Sequence, residues 1–223
     1  MAIKIITTED GSHSLYDEEL NETYHSTRGA KGESLHVFIK EGLEYWRSKN
    51  QTEEISILEI GLGTGLNAFL TAQFAEANSQ TILFTSLEPF PIDKDIYQNL
   101  NYFENDSEKA LMLSIHESEW EKEVGITKGF KLFKSTSKLE NFTSSQSFDL
   151  VYFDAFAPSK QSEVWSLDNL KKCYSMLSIG GMLTTYCAQG QFKRNLAEAG
   201  FEVETLQGAM GKKEMVRGIK VND

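Results

Sequence analysis

Three short segments of this 223-residue chain carry residue types that could do chemistry. The first is Leu58-Glu59-Ile60-Gly61-Leu62-Gly63-Thr64-Gly65-Leu66-Asn67, an apolar run that breaks into three alternating glycines and then resumes. Glycine tolerates positive φ and carries no Cβ, so a ligand can approach the backbone closely at such a turn. The dinucleotide fingerprint G-x-G-x-x-G would need a further glycine at position 66, where Leu66 stands. A diphosphate seated on the following helix is therefore disfavoured. Glu59, at the strand end, would repel a diphosphate but suits a cation. S-adenosyl-L-methionine, whose sulfur and ammonium group are both positive, meets both conditions. The residues assigned to the cofactor here are Glu59, Gly61, Gly63, Gly65 and Asn67.

The second segment is Ser86-Leu87-Glu88-Pro89. An acid about 20 residues beyond a glycine-rich turn commonly takes a ribose diol, because one carboxylate can accept from both hydroxyls. Glu88 is assigned that role. The third is Asp154-Ala155-Phe156-Ala157-Pro158-Ser159-Lys160, which follows an apolar strand. Ligands of open α/β sheets sit outside the carboxyl ends of the strands, so Asp154 should share a crevice with the glycines and Glu88. A carboxylate there is useful if the methyl acceptor is an amine. An alkylammonium has no lone pair to attack with, and Asp154 can orient the amine and take its proton. Phe156, Pro158 and Lys160 are expected to shape the acceptor pocket. Tyr24 and His25 precede the first strand of the alternating region and could fold over the cofactor. Trp165 reads equally as pocket wall or core.

These residues need a scaffold, and the hydrophobic pattern supplies one. Leu35–Trp46 has helical spacing. From Glu54 onward, short β-branched runs alternate with helical stretches. Strands are expected at Ile55–Ile60, Thr81–Leu87, Phe130–Lys134, Phe148–Phe153 and Met182–Tyr186. Helices are expected at Leu66–Ala77, Ile92–Phe103, Ser166–Leu177 and Gln191–Ala199. Ser107–Val124 reads as a helical insertion. Alternation of this kind implies a mostly parallel sheet covered by helices on both faces. The last two strands, Phe201–Leu206 and Met215–Val221, have too short a connection for a crossover and should pair antiparallel. The expected fold is a Rossmann-like class I methyltransferase with seven strands and a C-terminal antiparallel hairpin. The expected organisation is a single unit: residues 1–50 as an N-terminal extension over the cofactor site, and 51–223 as the methyltransferase domain.

Composition is that of an ordinary globular chain, with 40% apolar and 25% charged residues. Apolar stretches are strand-sized, and the N-terminus has no signal-like core, so no membrane association is expected and the chain reads as cytoplasmic. Cys173 and Cys187 are too few for a disulfide framework and lack metal-ligand spacing. No metal is expected. The net charge of −11 argues against extensive phosphate contact, which rests on Lys and Arg. Lys193, Arg194, Lys212 and Lys213 could form a local basic face.

Taken together, Tyr24-His25-Ser26, Glu33-Ser34-x-His36-Val37-Phe38, the Gly61–Asn67 turn, Asp154-x-Phe156-Ala157-Pro158-x-Lys160 with Trp165, and Gly208-x-x-Gly211-Lys212-Lys213-Glu214-Met215 resemble one family. It is the methyltransferase domain of the bacterial tRNA wobble-uridine enzyme MnmC and its stand-alone relatives, MnmD. The resemblance runs from about Tyr24 to Lys220. It implies methylation of the amine of 5-aminomethyl-(2-thio)uridine at the tRNA wobble position, giving the 5-methylaminomethyl nucleoside. It also implies that Asp154 meets the substrate amine and that Gly61, Gly63, Gly65 and Glu88 hold the cofactor; from their charge, Lys212 and Lys213 are expected on the tRNA side. Because the chain ends at Asp223 without a flavin domain, a separate flavin-dependent oxidoreductase is expected upstream in the pathway. The alternatives are a methyltransferase for another amine, small molecule or protein, an aminopropyl transferase, and a binding module on the same fold.

Overall fold

The computed structural model describes residues 3–222. Met1, Ala2 and Asp223, which the expected 1–50 and 51–223 segments include, lie outside the described residues. Eight strands form the central sheet: β4 (Glu54–Ile60), β5 (Thr81–Leu87), β6 (Glu123–Thr127), β7 (Phe130–Ser135), β8 (Phe148–Phe153), β9 (Leu177–Thr185), β10 (Glu202–Gln207) and β11 (Glu214–Ile219). Their spatial order is β10-β11-β9-β8-β4-β5-β7-β6. The five inner strands β7, β5, β4, β8 and β9 are parallel, and β10–β11 is the antiparallel hairpin. The strand order reverses at β4, which pairs on one side with β5 and on the other with β8. That is the topological switch point where α/β sheets open a crevice.

The expected seven strands become eight. The additional one is β6, which pairs antiparallel with β7 inside the segment read as a helical insertion. The helix there, α5 (Asp106–Glu117), stops at Ser118, and Trp120 already bridges to Lys134. Helical composition across Ser107–Val124 hid the change because β6 is a half-exposed edge strand with no apolar run of its own. The expected helix Ile92–Phe103 shrinks to α4 (Lys94–Tyr97). Asn99 folds its side chain back to the Asp95 carbonyl, and Asn101 donates to Gly11 O and accepts from His13 N. Such side-chain bonding to backbone competes with helix continuation.

The remaining helices are α3 (Leu66–Ala77), α6 (Leu167–Met176) and α7 (Gly190–Glu198). A further helical rod runs without a break through α1 (Ala30–Ser34), a π-helical stretch (Leu35–Glu44) and α2 (Tyr45–Lys49). Before it, β1 (Ile3–Thr7), β2 (His13–Asp17) and β3 (Glu22–Thr23) form a small antiparallel sheet. Two apolar cores result. Ile57, Phe84, Leu132 and Leu150 pack under α3 and the helical rod, whereas Leu58, Val151, Phe153 and Leu183 pack under α6 and α7.

One transverse row on the α3 side is polar. Lys134, Ser86, Glu59, Tyr152, Thr184 and Arg217 are register partners in turn from β7 across to β11, and all are buried. Its charged ends are well paired. Lys134 Nζ donates to the His116 carbonyl at 2.7 Å and lies over the Trp120 ring. Arg217 donates to Glu204 at 2.8 Å and to the Glu41 carbonyl at 2.9 Å, with Tyr45 stacked on its guanidinium.

Candidate active site

A cavity of about 430 Å³ opens at the carboxyl ends of β4, β5, β7 and β8, within the size range of small-molecule sites. Its floor is the glycine turn. Gly61 has φ 94° and Gly63 φ 50°, in the left-handed region that side chains with a Cβ enter at a cost. A Cβ on Gly61 would lie 2.7 Å from the Asp154 carbonyl oxygen, and one on Gly63 would lie 3.1 Å from the Tyr24 ring. The turn is thus closed against both neighbours by the absence of side chains. Thr64 steadies it from behind, its carbonyl accepting from His116 Nε2 at 3.0 Å. Burial pushes the His116 pKa down to about 4, so the ring is neutral and serves as this donor.

Glu88 stands on the second side. Its two oxygens accept from Gly63 N and Phe90 N, each at 2.9 Å, which fixes the carboxylate while leaving further lone pairs toward the cavity. Burial raises its pKa above the usual carboxylate value. Asp154 stands on the third side. Its backbone N–H donates to Ile60 O, and its carboxylate accepts from Asn67 Nδ2 at 2.8 Å. Burial lifts the Asp154 pKa to about 7, with the Asn67 hydrogen bond opposing the rise. The fourth side comes from the N-terminal segment, where Asp17, Glu19, Leu20, Tyr24 and His25 line the cavity. Tyr24 meets Phe156 edge to face, with centroids 4.8 Å apart.

Of the site residues expected from sequence, the structure brings Tyr24, Gly61, Gly63, Asn67, Glu88, Asp154 and Phe156 into one cavity wall. Others lie elsewhere. Glu59 is fully buried beneath the turn, with Ser86 Oγ donating to it at 2.5 Å, so it cannot touch a ligand. Gly65 caps α3 against His116, outside the lining. Pro158 is also outside it. Lys160 turns its ammonium away, donating to the Leu20 carbonyl at 2.8 Å. It ties the Asp154 loop to the N-terminal cover. Lys212 is ion-paired to Glu33 and lies over the Tyr186 ring, while Lys213 is exposed, away from the cavity. Of the basic face expected around Lys193, Arg194 and Lys212, the two lysines are paired, Lys193 with Glu214 and Lys212 with Glu33, whereas Arg194 donates only to the neutral Gln191 amide. Trp165 is core: it packs on Phe153 and Phe192 and donates to the Phe156 carbonyl at 2.7 Å, holding the acceptor loop. The helix α5 backs the glycine turn through His116 and does not cover the cavity.

Sequence reasoning missed Phe90 and the Ser137–Glu140 loop, which both line the cavity. Phe90 is half exposed beside Glu88. The signal was available, because both follow the carboxyl ends of inner parallel strands. Among the described residues no group of three His, Cys, Asp or Glu is placed to hold a metal ion. Cys173 and Cys187 are free and buried.

The residues fit a sulfonium nucleoside. The side-chain-free turn admits backbone contact, Glu88 has acceptor capacity for a diol, and the wall carboxylates suit positive charge. Comparison with known proteins agrees. A family model described as S-adenosyl-L-methionine-dependent methyltransferase matches residues 118–221. The tRNA 5-methylaminomethyl-2-thiouridine biosynthesis bifunctional protein MnmC of Leptospira interrogans is 31% identical over 213 residues, which are 90% of this chain and 33% of that protein. The protein of the same name from Campylobacter concisus is 28% identical over 212 residues, again 90% and 33%. The chain thus spans a third of the length of these relatives. The crystal structure of MNMC2 from Aquifex aeolicus superposes with a TM-score of 0.81 at 21% identity, covering 100% of this chain and 71% of that one. Among the described residues, no helix is long and apolar enough to cross a membrane. The chain has a class I methyltransferase fold, matches a model of S-adenosyl-L-methionine-dependent methyltransferases over residues 118–221, and is similar over nine-tenths of its length to one third of the MnmC proteins.

Proposed function

We propose that the protein N-methylates the aminomethyl group of 5-aminomethyl-(2-thio)uridine at the tRNA wobble position. The observation that carries this reading is Asp154, a carboxyl at the cavity wall whose pKa is pushed to about 7. An amine acceptor arrives largely as an ammonium. A base poised near neutral pH can take its proton and still release it afterwards. The bound cofactor supplies an electrophilic methyl on a positive sulfur. Gly61 and Gly63 would hold its backbone-facing side and Glu88 its ribose, and Phe90 offers a ring face to the base. Tyr24 and Phe156 close over the space beside Asp154 and exclude water. Asn67 steadies the Asp154 carboxylate. Similarity to MnmC supports tRNA as the partner; a separate flavin-dependent oxidoreductase acting upstream belongs to the same proposal.

The test is tritiated methyl transfer to tRNA from a strain lacking the modification, followed by nucleoside analysis. Label in the 5-methylaminomethyl nucleoside is the expected result, and label absent from wobble uridine sinks the reading. A second reading, another amine substrate, is favoured by one observation. The cavity wall carries Asp17, Glu19, Glu140 and Glu163 besides Glu88 and Asp154, against the lone cation Lys138. Such a wall suits a small cationic amine. Label transfer to polyamines or basic peptides in the same assay would select it.

A further inference from the structure

Glu59 has no explanation in the contacts above. It sits in the middle of the polar row with no solvent exposure. Only one of its oxygens is partnered, Oε2 accepting from Ser86 Oγ at 2.5 Å; Oε1 has no hydrogen-bond partner. Directly above, Asn67 Nδ2 is committed to Asp154 at 2.8 Å, and the buried Asn67 Oδ1 is also without a partner. Asn67 is within hydrogen-bonding reach of Glu59, and a bond donated by its amide would favour the ionised acid, but Nδ2 is already given to Asp154. Glu59 Oε1 and Asn67 Oδ1 are thus two buried bare acceptors, and each unsatisfied one costs on the order of 1–3 kcal/mol. One proton resolves both: a neutral Glu59 donates from Oε1 to Asn67 Oδ1. Turning the amide over would instead set Asn67 Oδ1 against the Asp154 carboxylate, acceptor against acceptor.

We propose that Glu59 is a positioning residue that stays a neutral acid and, by donating to Asn67 Oδ1, locks the Asn67 amide with its NH₂ toward an ionised Asp154. The proposal rests on the reading of Asp154 as the proton acceptor. The carboxyl pair then holds one proton, kept on Glu59 beneath the turn, and Asp154 is left free to take the proton from the amine. The surroundings favour this distribution. Around Glu59 are Ser86 on β5 and Glu88 just beyond its end, Tyr152 on β8 and Asp154 just beyond its end, and Asn67 on α3, with Thr71 of α3 beside Tyr152. No cation is among them; Lys134 stands one strand further along the row, beyond Ser86. Burial, with the neighbouring Asp154 and Glu88 charges, pushes the Glu59 pKa up to about 8 against the opposing hydrogen bonds of Ser86 and Asn67.

The test is infrared difference spectroscopy of the ligand-free protein at about pH 7.5, between the midpoints of the two carboxyls. A protonated-carboxyl C=O band is expected, lost in Glu59→Gln and kept in Asp154→Asn. Ser86→Ala removes the donor to that carbonyl and should move the band to higher frequency. An absent band, or one unaffected by both Glu59→Gln and Ser86→Ala, overturns the assignment. In turnover, Glu59→Gln can still donate to Asn67 and should stay within about threefold of the parent at pH 7, whereas Glu59→Leu should lose roughly tenfold or more. The parent should lose turnover above about pH 8, where Glu59 gives up its proton, and Glu59→Gln should not. Equal losses in Gln and Leu variants would also overturn the proposal. Because the infrared measurement needs no methyl acceptor, failure of the tRNA reading and failure of this one are told apart.

Discussion

At the scale of single residues, the site is two carboxylates given opposite tasks by their neighbours. Glu88 receives two backbone N–H donors and is held still, which suits a group that only binds. Asp154 receives one side-chain amide and a large burial penalty, which suits a group that exchanges a proton. Glu88→Ala should weaken binding of S-adenosylhomocysteine by roughly 10- to 100-fold, the loss of hydrogen bonds to a charged group, and leave the fold intact; titration calorimetry checks it. Asp154→Asn keeps the shape and the Asn67 contact but cannot accept a proton. Turnover should fall by about 10²- to 10⁴-fold with cofactor binding little changed. In the parent the base must be ionised, so turnover should rise with pH through about 7. A pH–rate profile with no such rise would remove Asp154 from the proton step.

At the scale of elements, the alternation of strands and helices was readable because each inner parallel strand is a short apolar run and each helix an amphipathic one. The glycine turn and the two carboxylates followed from the rule that crevices open at carboxyl strand ends. Other features were hidden for particular reasons. Nothing in the Lys160 side chain itself says whether it meets solvent, substrate or a carbonyl 140 residues away, and the structure gives it to Leu20. The small β1–β3 sheet lacks a long apolar run, so the sequence pattern offered no strand signal within the N-terminal extension. Glu59 was legible as an acid at a strand end, but its depth was not: in a strand buried on both faces, the pattern does not distinguish a side chain at the rim from one a layer below. The Lys160 strut yields its own prediction. Lys160→Met should free the segment near Leu20, raising its rate of proteolytic cleavage and weakening S-adenosylhomocysteine binding by roughly fivefold, the worth of about 1 kcal/mol. Unchanged cleavage would mean that the cover is held by other contacts.

At the scale of the whole molecule, the buried titrating groups set the pH response of the ligand-free protein. His25 and His116 have pKa values depressed to about 4, so the folded state binds fewer protons than the unfolded one between there and 6.5, and stability rises with pH across that window. Glu59 and Asp154 are raised, to about 8 and about 7. They bind more protons when folded, their stabilisation is complete below their ordinary values near 4, and it is lost as pH climbs through 7 and 8. The two effects oppose each other below 6.5; above it the carboxyls act until about pH 8, where buried Lys134, its pKa lowered to about 8, begins to oppose them. The melting temperature should therefore fall between about pH 6.5 and 8, and Glu59→Gln should flatten much of that fall. Differential scanning fluorimetry across pH checks both. A melting temperature that rises over that window would contradict the burial-driven shifts.

The contact between the N-terminal cover and the turn before β11 has a further consequence. Lys212 pairs with Glu33, Arg28 donates to the Met210 carbonyl at 3.2 Å, and His36 bonds to the Gln207 carbonyl at 2.9 Å. On the ribosome, residues near 30 leave the exit tunnel well before residues near 210. The cover of the cofactor site must wait, unanchored on this side, through the synthesis of the whole sheet. Its anchorage to Gln207, Met210 and Lys212 forms only after the turn before β11 has left the tunnel, so this flank of the cover is among the later contacts to set.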